Sequence, residues 1–195
     1  MTYVPARVGP SDHLRLRQLD VHVTRWGNPS PQQPPLVLVH GWMDVGASYQ
    51  FVVDAFSPAF ASGRLIIAPD WRGFGRTALP APCDHYVFAD YLGDLDALID
   101  HYAPGARQVD LVGHSMGGNI AMHYAGVRPQ RIRRLVNLEG FGMPATRPAQ
   151  APRRLAQWLD ELQQLRLGTI AMKPYVSLDA VAERLCKNNP RLPPD

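Results

Sequence analysis

The sequence predicts an α/β fold: a mostly parallel, doubly wound sheet preceded by an antiparallel hairpin. Three observations predict it. Near the N-terminus two short segments, residues 14–19 and 21–26, alternate apolar and polar residues and are separated by little more than Asp20. A period of two marks strands, and so short a gap marks a hairpin or meander. Four largely apolar runs follow, residues 36–39, 64–68, 109–112 and 135–138. Runs without alternation belong to strands buried on both faces, as parallel strands are. Helical patterns separate these runs with short connections, the order that right-handed strand–helix–strand crossovers produce.

The elements can be justified in turn. Residues 28–35, Asn-Pro-Ser-Pro-Gln-Gln-Pro-Pro, form a loop, because proline removes donors and restricts the residue before it. After the strand at 36–39 a helix is expected over 46–56, and after the strand at 64–68 a Gly-rich loop over 70–77. A longer helix over 87–102 places Tyr91, Leu95, Leu98 and Tyr102 on one face, with Asp90, Asp94, Asp96 and Asp100 largely on the other. The strand at 109–112 runs into a Gly-rich turn and a helix to about residue 127. The last strand, expected over 134–139, ends at Glu139. Beyond it, residues 140–152 are rich in Gly, Pro and Ala, and two amphipathic helices follow near 153–167 and 178–186.

Composition narrows the function classes. At 195 residues, 46% hydrophobic and 19% charged, the chain can bury a core, which excludes disorder. The 16 Gly and 19 Pro are clustered without period, which excludes a collagen. Net charge is +3, from 18 Arg and 2 Lys against 17 interspersed acids. No broad basic face results, so nucleic acid is not an expected partner. The densest basic stretch, Arg128, Arg131, Arg133 and Arg134, reads better as a solvated helix-to-strand corner than as a phosphate patch. Cys83 and Cys186 lack metal-ligand spacing and are expected as reduced thiols. Residues 1–10 hold no apolar core for a signal peptide, and apolar stretches stop at about four residues where a membrane helix needs about twenty. The expectation is a soluble, cytoplasmic protein with no membrane partner, metal or cofactor.

Gly113-His114-Ser115-Met116-Gly117 matches the G-x-S-x-G pattern of a nucleophile on a strand-to-helix turn. The alternative is a plain Gly-rich turn; the placement between a buried strand and a helix favours the first. Ser115 would then occupy a strained backbone conformation, with Gly113 and Gly117 giving room to neighbouring backbone. A nucleophilic serine needs donors for the oxyanion it creates. The Met116 N–H, at a helix N-terminus, is one candidate. The Trp42 N–H, in the loop His40-Gly41-Trp42-Met43 after the first parallel strand, is the other. His40 and Gly41 are assigned to substrate binding, Gly41 because it lets the loop approach.

Three segments in order, His40-Gly41-Trp42, Asp70-Trp71-Arg72-Gly73-Phe74-Gly75 and Gly113-His114-Ser115-Met116-Gly117-Gly118, resemble the α/β-hydrolase superfamily. The resemblance covers about residues 12–142 as the N-terminal part of a hydrolase core. It implies that residues 143–195 are a partial helical cap, and that the chain is truncated after its sixth strand and cap helices. The Asp70–Gly75 loop is structural by this resemblance, and Asp70 is not assigned to catalysis. Relatives that displace alkyl groups carry Asp where this chain has Ser115. The resemblance therefore implies a small-molecule acyl substrate with no cofactor: carboxylic-ester hydrolysis or another acyl transfer, carbon–carbon bond hydrolysis included, ahead of cofactor-free perhydrolysis.

A triad also needs a carboxylate that orients a histidine. Glu139 directly follows an apolar strand and is one of only three Glu in the chain. It is assigned as the catalytic acid, with a structural or pocket-lining carboxylate as the alternative. The base is missing. The seven histidines are His13, His22, His40, His85, His101, His114 and His123, and none follows a C-terminal strand, where the family places it. Two readings stay open: a serine hydrolase core that is impaired by itself, or a non-catalytic hydrolase-like fragment that binds a ligand or partner. In either, the strand ending at Leu138 leaves an apolar sheet edge, and self-association through it is expected.

Overall fold

Six strands build one sheet: β1 (Ser11–Leu16), β2 (Leu19–Trp26), β3 (Leu36–Val39), β4 (Ile66–Pro69), β5 (Val109–His114) and β6 (Ile132–Leu138). Their spatial order is β1-β2-β4-β3-β5-β6. β1, β2 and β4 pair antiparallel, whereas β4, β3, β5 and β6 run parallel. This is a computed structural model, and it describes residues 3–83, 85–142, 144–169 and 174–188. The chain divides into two compact units, Pro5–Met143 and Pro144–Asp195 together with Met1–Val4.

Alternation along the parallel strands sorts the core into two layers. Val37, Val39, Ile67, Val109 and Leu111 point to one face and pack with α3 (Phe88–Tyr102) and α4 (Met116–Val127) through Leu95, Leu98, Ile99, Ile120 and Tyr124. Leu36, Leu38, Ile66 and Ala68 point to the other, against Tyr49 and Val53 around α1 (Gln50–Ala55) and Ala61 of α2 (Pro58–Ser62). Each of the Val, Leu and Ile side chains among these contributes roughly 1.5–3 kcal/mol on full burial. Both faces of the central strands are therefore dry, as their unbroken apolar runs require.

The structure corrects several expected boundaries. The hairpin turns at Arg17 and Gln18, not near Asp20, with Arg17 at φ 54°. The helix expected over 46–56 is a 3₁₀ turn, Gly46–Tyr49, followed by α1. The short α2 was not foreseen, although Ser57 caps it by accepting from the Phe60 N–H at 3.3 Å and Pro58 starts it. Arg64 is no strand residue: its buried guanidinium donates to Asp110 at 2.8 Å. β6 begins at Ile132 because a register shift at Val109/Asp110 accommodates Arg133 as an extra residue. That bulge brings Arg133 onto the same carboxylate, at 2.9 and 2.6 Å.

Beyond Ile132 every residue of β6 is exposed, and among the described residues no strand pairs with its outer edge. The second unit contains α5 (Ala151–Arg166) and α6 (Leu178–Asn188). Leu155, Trp158 and Leu159 recur at helical spacing on α5 and are exposed. Among the described residues no helix is long and apolar enough to cross a membrane, and Cys83 and Cys186 carry thiols rather than a disulfide.

Candidate active site

The chain leaves β3 for β4 on one side, then returns to build β5 on the other. The point where the winding reverses, at the C-terminal ends of β3 and β5, is the usual ligand position in such sheets. Ser115 stands there, between β5 and α4, at φ 51° and ψ −114°. A side chain rarely adopts this left-handed φ, and surrounding structure must hold it. Two bonds do so: the Ser115 N–H donates to Leu138 O at 2.7 Å, and the Asn119 N–H donates to Ser115 O at 3.0 Å. Close approach explains the glycines. A Cβ on Gly117 would overlap the carbonyl oxygens of Val39 and His40, and one on Gly41 would come within 3.1 Å of the Ser115 Cβ. The loop after β3 thus lies directly against the nucleophile position.

His40 secures that loop. Its Nε2 accepts from the Trp71 N–H at 2.9 Å, so its Nδ1–H donates to Gly41 O at 2.8 Å. The Trp71 indole N–H donates back to His40 O at 2.9 Å. Burial lowers the His40 pKa and keeps the ring neutral. The sequence assigns His40 to substrate binding, within an oxyanion loop where a structural hydrogen bond is its usual role. The ring is fully buried with both nitrogens engaged, so the structural hydrogen bonds are present and any part His40 has in substrate binding passes through the shape of the Gly41–Trp42 loop. Asp70 anchors the same loop from beneath, accepting from Gly46 N–H at 2.7 Å, Arg76 N–H at 2.9 Å and His22 at 2.9 Å.

Glu139 follows the carbonyl that holds Ser115. It too has a left-handed backbone, φ 61°, and it is exposed. Asn137 braces this turn: its Oδ1 accepts from Gly140 N–H at 2.8 Å and its Nδ2 donates to Gly140 O at 2.6 Å. Asn119 Oδ1 accepts from Gly142 N–H at 2.7 Å, tying the segment to the first turn of α4. The structure therefore brings Ser115, Met116, Gly41, Trp42 and Glu139 to one edge of the sheet. Among the described residues, neither the Ser115 hydroxyl nor the Glu139 carboxylate has a hydrogen-bond partner.

A strand-to-helix serine beside a glycine loop is a hydrolase arrangement, and comparison with known proteins agrees. The alpha/beta hydrolase fold family model matches residues 34–179. The chain belongs to the α/β-hydrolase fold family. It is 34% identical over 120 residues to Epoxide hydrolase 2 of Siraitia grosvenorii, covering 62% of this chain and 35% of that protein. It is 37% identical over 115 residues to 2-hydroxymuconate semialdehyde hydrolase of Pseudomonas sp. (strain CF600), covering 56% and 37%. It is 31% identical over 154 residues to Cis-3-alkyl-4-alkyloxetan-2-one decarboxylase of Shewanella oneidensis, covering 77% and 45%. Among solved structures, the thioesterase domain from the curacin biosynthetic pathway superposes with a TM-score of 0.74 at 27% identity, over 96% of this chain and 64% of that one. The chain spans about a third to a half of the length of these curated relatives.

In this α/β-hydrolase chain none of the described histidines is hydrogen-bonded to Ser115, and most are engaged elsewhere. His13 bonds Asp20 at 3.0 Å, His22 bonds Asp70, and His123 contacts Asn119 O at 2.7 Å. The His114 ring sits half-buried, its Nδ1 against Gly41. His101 packs on Tyr102 with ring centroids 4.7 Å apart, and His85 is exposed before α3. None hydrogen-bonds Ser115. Sequence reasoning missed Asn119, Asn137 and Trp71. The available signal was an amide, Asn137, at the end of an otherwise apolar strand, where a polar side chain needs a local partner.

Proposed function

We propose that this chain carries the nucleophile of a serine hydrolase acting on a carboxylic ester or related acyl group. The observation that carries the reading is the left-handed backbone of Ser115 at the end of β5, with the Gly41 backbone against its side chain. In the reaction Ser115 Oγ attacks the acyl carbon, its proton passes to the histidine base that the described residues do not supply, and collapse of the tetrahedral adduct breaks the bond to the leaving group, which departs with that proton. The N–H groups of Trp42 and Met116 receive the developing oxyanion, the second with the positive end of the α4 dipole behind it. Glu139 orients a histidine that the described residues do not supply, and α5 and α6 belong to a partial helical cap segment.

Chemistry separates this from the epoxide hydrolases it resembles. Attack by a serine hydroxyl on an epoxide carbon would leave an ether, which water does not cleave under mild conditions. Attack on an acyl carbon leaves an ester, which water can hydrolyse. The second reading, a non-catalytic ligand-binding α/β-hydrolase-like protein, is favoured by one observation: no histidine among the described residues bonds Ser115. A fluorophosphonate probe tests the first reading. Ser115 should react faster than the other serines of the chain, and Ser115→Ala should abolish that labelling. Labelling that survives the substitution would refute the assignment.

A further inference from the structure

We infer that the site takes neutral, apolar carbonyl compounds, bearing aryl or alkyl chains, and disfavours carboxylates. What is turned over rests on the serine-hydrolase reading; what is bound rests on three loops. These loops follow β4, β3 and β6, and in the sheet order they flank the elbow after β5. Each raises an aromatic side chain: Phe74, Trp42 and Phe141. Trp42 is 62% exposed and Phe141 90% exposed, with Met43 beside Trp42 at 73%.

Single exposed apolar residues are ordinary. These are not casual. Trp42 and Phe74 meet edge to face with ring centroids 5.2 Å apart, and Phe74 in turn packs on buried His40 at 5.6 Å. Gly41 fixes the Trp42 backbone against Ser115. Phe141 stands between Gly140 and Gly142, which Asn137 and Asn119 hold. The aromatic side chains are thus presented by rigid backbone on both sides of the nucleophile, and apolar surface held open in this way binds apolar ligand.

Charge gives the other half. Across residues 40–45, 70–77 and 138–142 the charged side chains are Asp44, Asp70, Arg72, Arg76 and Glu139. Asp70 is buried in its network. Arg72 is committed to Asp94 at 2.6 and 2.8 Å and to Asp90 at 3.1 Å. The other titratable neighbour, His114, is tucked against Gly41. Arg76 sits with Ser11, His22 and Thr24 at the β1–β2 end of the sheet, with β4 and β3 between it and β5; at the elbow two carboxylates remain, Asp44 and Glu139. At the elbow an anionic ligand would lose hydration and meet like charge without a neighbouring counter-ion.

The test is an NMR titration of the 195-residue chain with a homologous series of methyl ketones and with levulinate, a ketone bearing a carboxylate. Affinity should rise with chain length, by about two- to fourfold per methylene. Levulinate should bind at least about tenfold more weakly than the neutral ketone of equal length. Trp42→Ala, which keeps the backbone N–H, and Phe74→Leu should each weaken the long ketone by about tenfold. Length-independent binding, equal affinity for levulinate, or indifference to Trp42→Ala would each overturn the inference. Trp42-dependent ketone binding in a chain whose Ser115 resists fluorophosphonate would support it and overturn only the hydrolase reading.

Discussion

Ser115 and Glu139 hold positive φ values that Gly would adopt at no steric expense. Strain of this kind is worth about 1–3 kcal/mol per residue and persists only where its surroundings enforce it. Ser115→Gly should therefore be more stable than Ser115→Ala by about 1 kcal/mol, and Glu139→Gly more stable than Glu139→Ala by a similar amount. Urea titrations of the four variants check this; equal midpoints within each pair would show relaxed backbone. Gly117→Ala acts in the opposite direction. Its methyl would drive into the carbonyls of Val39 and His40, so destabilisation of at least about 2 kcal/mol is expected. The same contact explains why the loop after β3 and the elbow after β5 can share one site.

At the level of elements, Asp110 joins the loop before β4 to the bulge of β6. Burial alone would raise its pKa, but the hydrogen bonds from Arg133 and Arg64 outweigh it and hold the carboxyl below its ordinary value of 3.8. A depressed carboxylate stabilises the fold above the unfolded pKa and loses that contribution as pH falls through the folded one. His40 titrates in a higher window. Its folded pKa lies below 6.5, so the unfolded chain binds the extra proton first, and stability should fall as pH drops below about 6.5. Denaturant midpoints between pH 8 and pH 5 should therefore decline, and His40→Asn should flatten the decline. Asp110→Asn should leave the His40 window untouched yet remove about 3 kcal/mol, because buried Arg64 loses its counter-charge. The apolar runs made β3, β4 and β5 legible, and the G-x-S-x-G placement located Ser115. The Arg133 bulge was not legible, since it depends on a carboxylate one strand away. Nor was the enclosure of His40: an HG dipeptide does not reveal that Trp71, thirty-one residues on, donates its N–H to the ring and its indole N–H to the His40 carbonyl. Long-range polar pairing leaves no periodic trace.

For the whole molecule the decisive boundary is β6. Leu135, Val136 and Leu138 are 36%, 48% and 42% exposed on a strand with no outer neighbour among the described residues, and such an edge templates further pairing. The 195-residue chain should self-associate with rising concentration, as light scattering coupled to size exclusion would show, and Val136→Lys should shift it toward monomer. A chain that stays monomeric at all concentrations would mean the edge is masked. The Ser115 N–H donates to Leu138 O, so the final rung of this marginal strand is the nucleophile's own amide. Strand fraying and loss of the elbow are then one event. The Ser115 amide should exchange with deuterium at the rate of the Leu138 end of β6, well ahead of Val37 and Leu111 in the sheet centre, and any ligand or strand that slows exchange along β6 should slow it at Ser115 by the same factor.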